Sequence, residues 1–303
     1  MRRLAFAGAL TAVVGAAPPA TLPGRDWDVR APIRADRTGI PEDPRLSESS
    51  GVAASRAHPG VLWTVNDSGN DPILFAIDTL GADLGAFAVA GAANQDWEDA
   101  ALGPCDAGTC VYIADTGDNA EEREEVAIYR VPEPEPGPAA RGTTAPGEAL
   151  RVRYPDAPHD VEAMFVDAAG DTHLITKGRT DGVRHFRVPG SAWGSTAPVT
   201  AEDLGRLPLD PGASLSDRIT GAALSPDGDV AVVRSYRRLH FFAVPGDGRL
   251  EPLGSPPLAC SVAGLEPQGE AVTWLDRGRL VLTSERFVGL APGTIHVVEC
   301  PIR

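Results

Sequence analysis

Five times along the chain a polar residue opens a short run of small and apolar residues. The runs are Ser50-Gly51-Val52-Ala53-Ala54, Glu98-Asp99-Ala100-Ala101-Leu102, Glu162-Ala163-Met164-Phe165-Val166, Thr220-Gly221-Ala222-Ala223-Leu224 and Glu270-Ala271-Val272-Thr273-Trp274. They recur at intervals of 48, 64, 58 and 50 residues. Each is too short for a helix of ordinary length and is bounded by turn formers, so each predicts a strand. A second apolar segment follows every time after a turn, at Val61–Asn66, Cys110–Ala114, Thr172–Thr176, Val230–Ser235 and Arg279–Thr283. A third follows at Ile73–Asp78, Val126–Val131, Val183–Val188, Leu239–Val244 and Thr294–Glu299, and fourth strands are predicted at 84–90, 149–154, 199–206 and 251–259.

Four short strands per repeat of roughly 45–60 residues predict a β-propeller blade, and the small residues at the start of each run suit a crowded central axis. The predicted fold is all-β, a five-bladed propeller with a six-bladed ring as the alternative. The fifth repeat has no fourth strand of its own. Residues Asp28–Ile33 can supply it, closing the ring by joining the two ends of the chain and removing an exposed edge. The Pro-rich tract 132–149 lengthens the second interval and is read as a loop insertion.

Composition agrees with many short elements: 33 Gly and 28 Pro in 303 residues disfavour long helices. The formal charge of −15 argues against nucleic acid as a partner and suits a surface that gathers cations. Arg2 and Arg3 precede an apolar run from Leu4 to Ala17 that ends in small residues. Residues 1–17 are therefore expected to be a signal peptide, too short to span a bilayer, and 18–303 the propeller domain of an exported periplasmic or extracellular monomer with no transmembrane segment. Four cysteines suit that compartment. Cys105 and Cys110 flank a tight turn and are expected to bridge each other, leaving Cys260 to pair with Cys300; a metal site is the alternative, without the spacing that favours one.

In an antiparallel blade the first strand begins on the face where the second ends. Ser50, Glu98, Glu162, Thr220 and Glu270 should therefore meet around one mouth, with Glu48, Asp96, His159, Asp160 and Asp217 beside them. Glutamates facing one axis repel unless neutralised, and Ca²⁺, with six to eight oxygen ligands in flexible geometry, is the expected counter-ion. The second strands end in two matched turns, Asn66-Asp67-Ser68-Gly69-Asn70-Asp71 and Asp115-Thr116-Gly117-Asp118-Asn119. Asp67, Asp115 and Glu285 are candidate general bases. Lys177, the only lysine beside 26 arginines, and Arg234 are candidates to hold an anionic group next to the metal. Trp97 is read first as core. The chain has no Gly-x-Ser-x-Gly elbow, P-loop or dinucleotide fingerprint.

The order Ser50, Glu98, Glu162, Thr220, Glu270, and the segment from Thr220 to Pro226, resemble the five-bladed calcium-dependent apyrases (soluble nucleotidases), whose blades present Ser, Glu, Glu, Ser and Glu to a central Ca²⁺. The turn Asn66-Asp67-Ser68-Gly69 is similar to that family's Asp-Asp-Arg-Thr-Gly but has no Arg, and the family's arginine set around the nucleotide is absent. As a whole the motifs resemble exported bacterial propellers, and more distantly the six-bladed lactonases of the gluconolactonase type. The resemblance implies a fold and an axial Ca²⁺ more than a substrate. The expected activity is metal-dependent hydrolysis of a small anionic substrate, a phosphoester or a lactone. The alternative is a non-catalytic propeller with a structural calcium, binding a glycan, a peptide or an envelope partner.

Overall fold

The computed structural model describes residues 34–212, 214–286 and 292–300. The signal-peptide expectation for residues 1–17 and the strand expected at Asp28–Ile33 lie outside them. The described residues form five mainly antiparallel sheets and no α-helix, only two short 3₁₀ turns, Gly190–Ala192 and Leu215–Asp217. The inner strands are Ser49–Ala54, Trp97–Cys105, Val161–Val166, Ile219–Leu224 and Gln268–Trp274. Each touches its two neighbours, and the fifth touches the first, so the ring closes into a five-bladed propeller.

Closure comes from the N-terminal side, but later in the chain than expected. Arg34–Gly39 pairs antiparallel with Ile295–Glu299, with Arg34 opposite Glu299. Both expected disulfides form: Cys105–Cys110 caps the hairpin of blade 2, and Cys260–Cys300 ties blade 4 to the closing blade. The Pro-rich tract is not wholly a loop. Its residues Arg141–Thr143 add a parallel strand to the outer edge of blade 1. The fourth strand of blade 4 is broken in two, Glu251–Pro252 and Ala259–Ser261, both paired with Arg238–Ala243.

The core lies between blades, where apolar faces of neighbouring sheets meet. Trp63, Trp97 and Trp274 are fully buried there, and Trp97 packs at a tilt against Tyr129 as core rather than as a ligand platform. At the axis the backbones themselves touch. A Cβ at Gly51 would stand 2.7 Å from Asp99 Cα, and one at Gly221 would stand 2.9 Å from the Glu270 carbonyl oxygen. That is why a glycine directly follows Ser50 and Thr220 in these two inner strands.

Candidate functional site

Every inner strand carries a β-bulge at its start, and the register shifts fall at equivalent places. They lie between Ser49 and Gly51, Trp97 and Asp99, Val161 and Ala163, Ile219 and Gly221, and Gly269 and Ala271. The extra residues are Ser50, Glu98, Glu162, Thr220 and Glu270, the five that the sequence singles out. A bulge breaks the strict in-and-out alternation of a strand and re-aims one side chain. Here it does so five times on one face, and all five residues are buried.

The five do not play one role. Ser50 donates its hydroxyl to the Glu98 carbonyl oxygen at 2.8 Å, and Thr220 donates to that of Glu270 at 2.8 Å. These two clamp neighbouring blades; only their lone pairs are left to face a cation. The glutamates split as well. Glu98 belongs to two groups of carboxylates whose oxygens lie within 4.8 Å of one another: Asp67, Asp96 and Glu98, and Glu98, Asp160 and Glu162. Glu270 lies in neither group and accepts from Gln268 at 3.1 Å.

The second group is already neutralised in part. Lys177 pairs with Glu162, and Arg179 pairs with Asp160, which also accepts from the Asp118 backbone at 2.9 Å. The first group has no ion pair with any described residue. Burial pushes the Glu98 pKa far up, with the charge of Glu162 adding to it. Asp96 is raised to about 6 by burial and then by Asp67, and Asp67 is itself raised by burial. Glu162 and Glu270 are each raised to about 8, again chiefly by burial. Burial also opposes the Lys177 charge, but Glu162 and Glu98 outweigh it and keep the ammonium protonated. Gly117 makes the first group possible, because a Cβ there would fall on Glu98 Oε1 and 2.5 Å from Asp96 Oδ2.

Two candidate catalytic residues are engaged in structural ion pairs. Arg234 is fully buried, pairs with Glu266 and donates to the Ala271 carbonyl at 2.5 Å, so it braces blades 4 and 5 and cannot meet an anion. Asp115 is 2% exposed, pairs with Arg123 at 3.0 Å and accepts from the Asp96 backbone at 3.1 Å. It shapes the turn that presents Asp96 and is not a free base. His159 also leaves the site; it bonds Asp156 at 3.0 Å and packs on Phe186. Glu285 stays beside the mouth, bonded to Gln268, with its pKa raised to about 7 by burial and then by Asp67.

Sequence reasoning named Asp99 only as the second residue of the Glu98–Leu102 run and assigned it nothing. Its carboxylate lies inside the hub and accepts from the backbone N–H groups of Ala100 at 2.8 Å, Met164 at 2.8 Å and Ala222 at 3.1 Å. It therefore ties blade 2 to blades 3 and 4 beneath the mouth. Burial raises its pKa against the pull of those donors. The only signal in the sequence was a second acid directly after an axial glutamate.

No protein-family model matches the chain, and no curated protein matches it. Among solved structures, it is similar to the PQQ-bound aldose sugar dehydrogenase of Streptomyces coelicolor, at 14% identity and a TM-score of 0.48 over 90% of this chain and 100% of that one. It is similar to a gluconolactonase of Xanthomonas campestris, at 14% identity and a TM-score of 0.44 over 84% and 72% of the two chains. The calcium-binding regucalcin of Agrobacterium tumefaciens gives 14% and 0.45 over 86% and 94%. None of these three is an apyrase, and the propeller rests on the chain's own strand pairing. No described helix is long and apolar enough to cross a membrane.

Proposed function

We propose that the protein is an exported, calcium-binding propeller that hydrolyses a small anionic phosphoester or lactone at the mouth of its axis. One observation carries this reading: Asp67, Asp96 and Glu98 converge within 4.8 Å and form no ion pair with any described residue, the nearby Lys177 being paired with Glu162. One buried and two half-buried carboxylates in that arrangement are costly unless protonated or matched by a cation. Carboxylate oxygens in an irregular arrangement fit the flexible coordination of Ca²⁺ better than the tighter octahedron of Mg²⁺. Asp67, Asp96 and Glu98 would hold the ion; Asp67 thereby moves from candidate base to candidate ligand. Glu162 and Glu270 would complete the negative field, with Ser50 and Thr220 offering lone pairs.

When bound, such an ion would polarise the substrate oxygen and lower the pKa of a water. The chain's own residues would do the rest. Hydrolysis adds the hydroxyl of water to phosphorus or to the acyl carbon and leaves its proton on the departing oxygen. Glu285 is the remaining candidate to take up the proton of the attacking water, because a base poised near neutrality suits that task. Lys177 would hold the field of the ring in check on the side of blade 3.

A specific observation favours a second reading. The Lys177 ammonium already stands among the axial carboxylates, so the hub carries an internal counter-ion suited to a non-catalytic propeller with a structural calcium. The two readings separate in a turnover panel of phosphoesters, nucleotides and lactones, with Ca²⁺ and with chelator. Ca²⁺-dependent turnover that is lost in Glu98→Gln and Glu285→Gln supports the hydrolase. A rise in Tm with Ca²⁺ and no turnover of any substrate supports the binding module.

A further inference from the structure

Beside the acidic trio, across the mouth, lies a cleft of about 590 Å³ between blades 3, 4 and 5. Its character is the opposite of the trio's. Lys177, Arg179, Arg218 and Arg237 line it, together with Tyr236 and Asn119. Lys177 and Arg179 are committed to Glu162 and Asp160. Arg218 and Arg237 have no carboxylate partner among the described residues, in a chain where Asp and Glu outnumber Lys and Arg by 42 to 27. With acids in such excess, an arginine pair left unmatched in one concavity is unexpected for a surface that only needs solubility.

The fold sets this pair deliberately. The Leu215–Asp217 turn delivers Arg218 to the start of the blade 4 inner strand, and the backbone N–H of Tyr236 bonds the Arg218 carbonyl at 3.3 Å. The two arginine-bearing turns are thereby fixed to each other. One acid, Glu266, also lines the cleft, but it is 97% covered on its side chain and held by Arg234. The Tyr236 hydroxyl, whose pKa is raised by burial and then by Glu270, remains a neutral donor between the cleft and the hub.

We propose that this cleft is a phosphoryl subsite, in which Arg218 and Arg237 hold the phosphate dianion of a small phosphorylated substrate. Two unmatched guanidiniums supply the two charges that a phosphate monoester needs, and their planar forks suit its oxygens. A carboxylate, with one charge and two oxygens, would leave part of that set unused. The assignment rests on the hydrolase reading for its substrate, and it narrows that reading from phosphoester or lactone to phosphoester.

Calorimetry on the full chain tests it, with inorganic phosphate, glycerol phosphate and gluconate as probes in metal-free buffer at fixed ionic strength. Phosphate and glycerol phosphate should bind, and gluconate more weakly. Arg218→Ala/Arg237→Ala should weaken phosphate by at least about tenfold, the equivalent of one lost charge-assisted hydrogen bond. Arg151→Ala/Arg153→Ala, on exposed arginines paired with Glu125, should leave it unchanged. Arg237→Gln alone, at an exposed position, gives the same direction should the double variant misfold. No phosphate binding, an equal loss in the Arg151/Arg153 control, or gluconate binding as tightly as phosphate would overturn the proposal. A Ca²⁺ titration of the same preparation reads the metal seat separately, so failure there with phosphate bound leaves the cleft standing, and the reverse outcome leaves the metal standing.

Discussion

Gly117 occupies a position where any side chain collides with two of the three proposed ligands. Gly117→Ala should therefore weaken Ca²⁺ by at least about tenfold while leaving the far-ultraviolet spectrum unchanged, since the clash is with side-chain carboxylates rather than with the sheet. Retained affinity would show that the trio is not the seat. The buried pair Arg234–Glu266 makes a separate demand. Removing the guanidinium strands a carboxylate that is 3% exposed, so Arg234→Ala should cost about 3–5 kcal/mol in denaturant unfolding. Arg234→Met/Glu266→Leu should recover most of that loss, because it removes the charge along with its partner. The glutamates of the axis were legible in the sequence, since the same residue type recurs before the same small-apolar run. The fate of Arg234 was not. Its partner lies 32 residues away in the link between blades 4 and 5, and nothing local distinguishes an arginine aimed at solvent from one drawn inward.

Strands were the most legible elements. Thr172–Thr176 and Val230–Ser235 fall where the pattern places them, because alternation and flanking turns fix both ends. The bulges were invisible, since a bulge is defined only against a paired strand. Arg141–Thr143 was missed for a related reason: three residues carry no period, and their partners belong to blade 1. Blade 3 also holds an element-level liability. His173 and His185, on adjacent strands, share a contact of 2.9 Å between ring nitrogens, and Phe165 stacks on His173 at 4.4 Å. Burial, followed by the nearness of His173, pushes the His185 pKa down to about 3. An unfolded histidine titrates near ~6.5, so above that pH neither state is charged and the contribution is complete. As the pH falls below ~6.5 the unfolded chain gains a proton that the folded blade refuses, and stability is lost until about pH 3. Unfolding measured from pH 7 to 5 should show the wild type losing about 2 kcal/mol more than His185→Gln. Equal losses would mean that the pair tolerates the proton.

At the scale of the ring, the two disulfides do different amounts of work. Cys260–Cys300 closes 40 residues of separation and Cys105–Cys110 only 5. On loop-closure entropy the first should contribute about 4 kcal/mol and the second about 2 kcal/mol. Cys260→Ser/Cys300→Ser should therefore lower the unfolding free energy clearly more than Cys105→Ser/Cys110→Ser, and the reverse order would point to strain or to a structured unfolded state. Five repeats and closure by an N-terminal strand were both readable from spacing, because a fifth repeat without a fourth strand must borrow one. The exact borrower was not, since its partner Ile295–Glu299 belongs to the last blade and nothing local marks the strand that will join it. That borrowed strand has a consequence for biogenesis. Arg34 lies opposite Glu299, so a nascent chain emerging from the ribosome can assemble hairpins in order but keeps an open seam until Ile295–Glu299 has been made. Completion of the ring is then a single late event, and a prematurely truncated product is left with an unpaired edge for quality-control proteases to find.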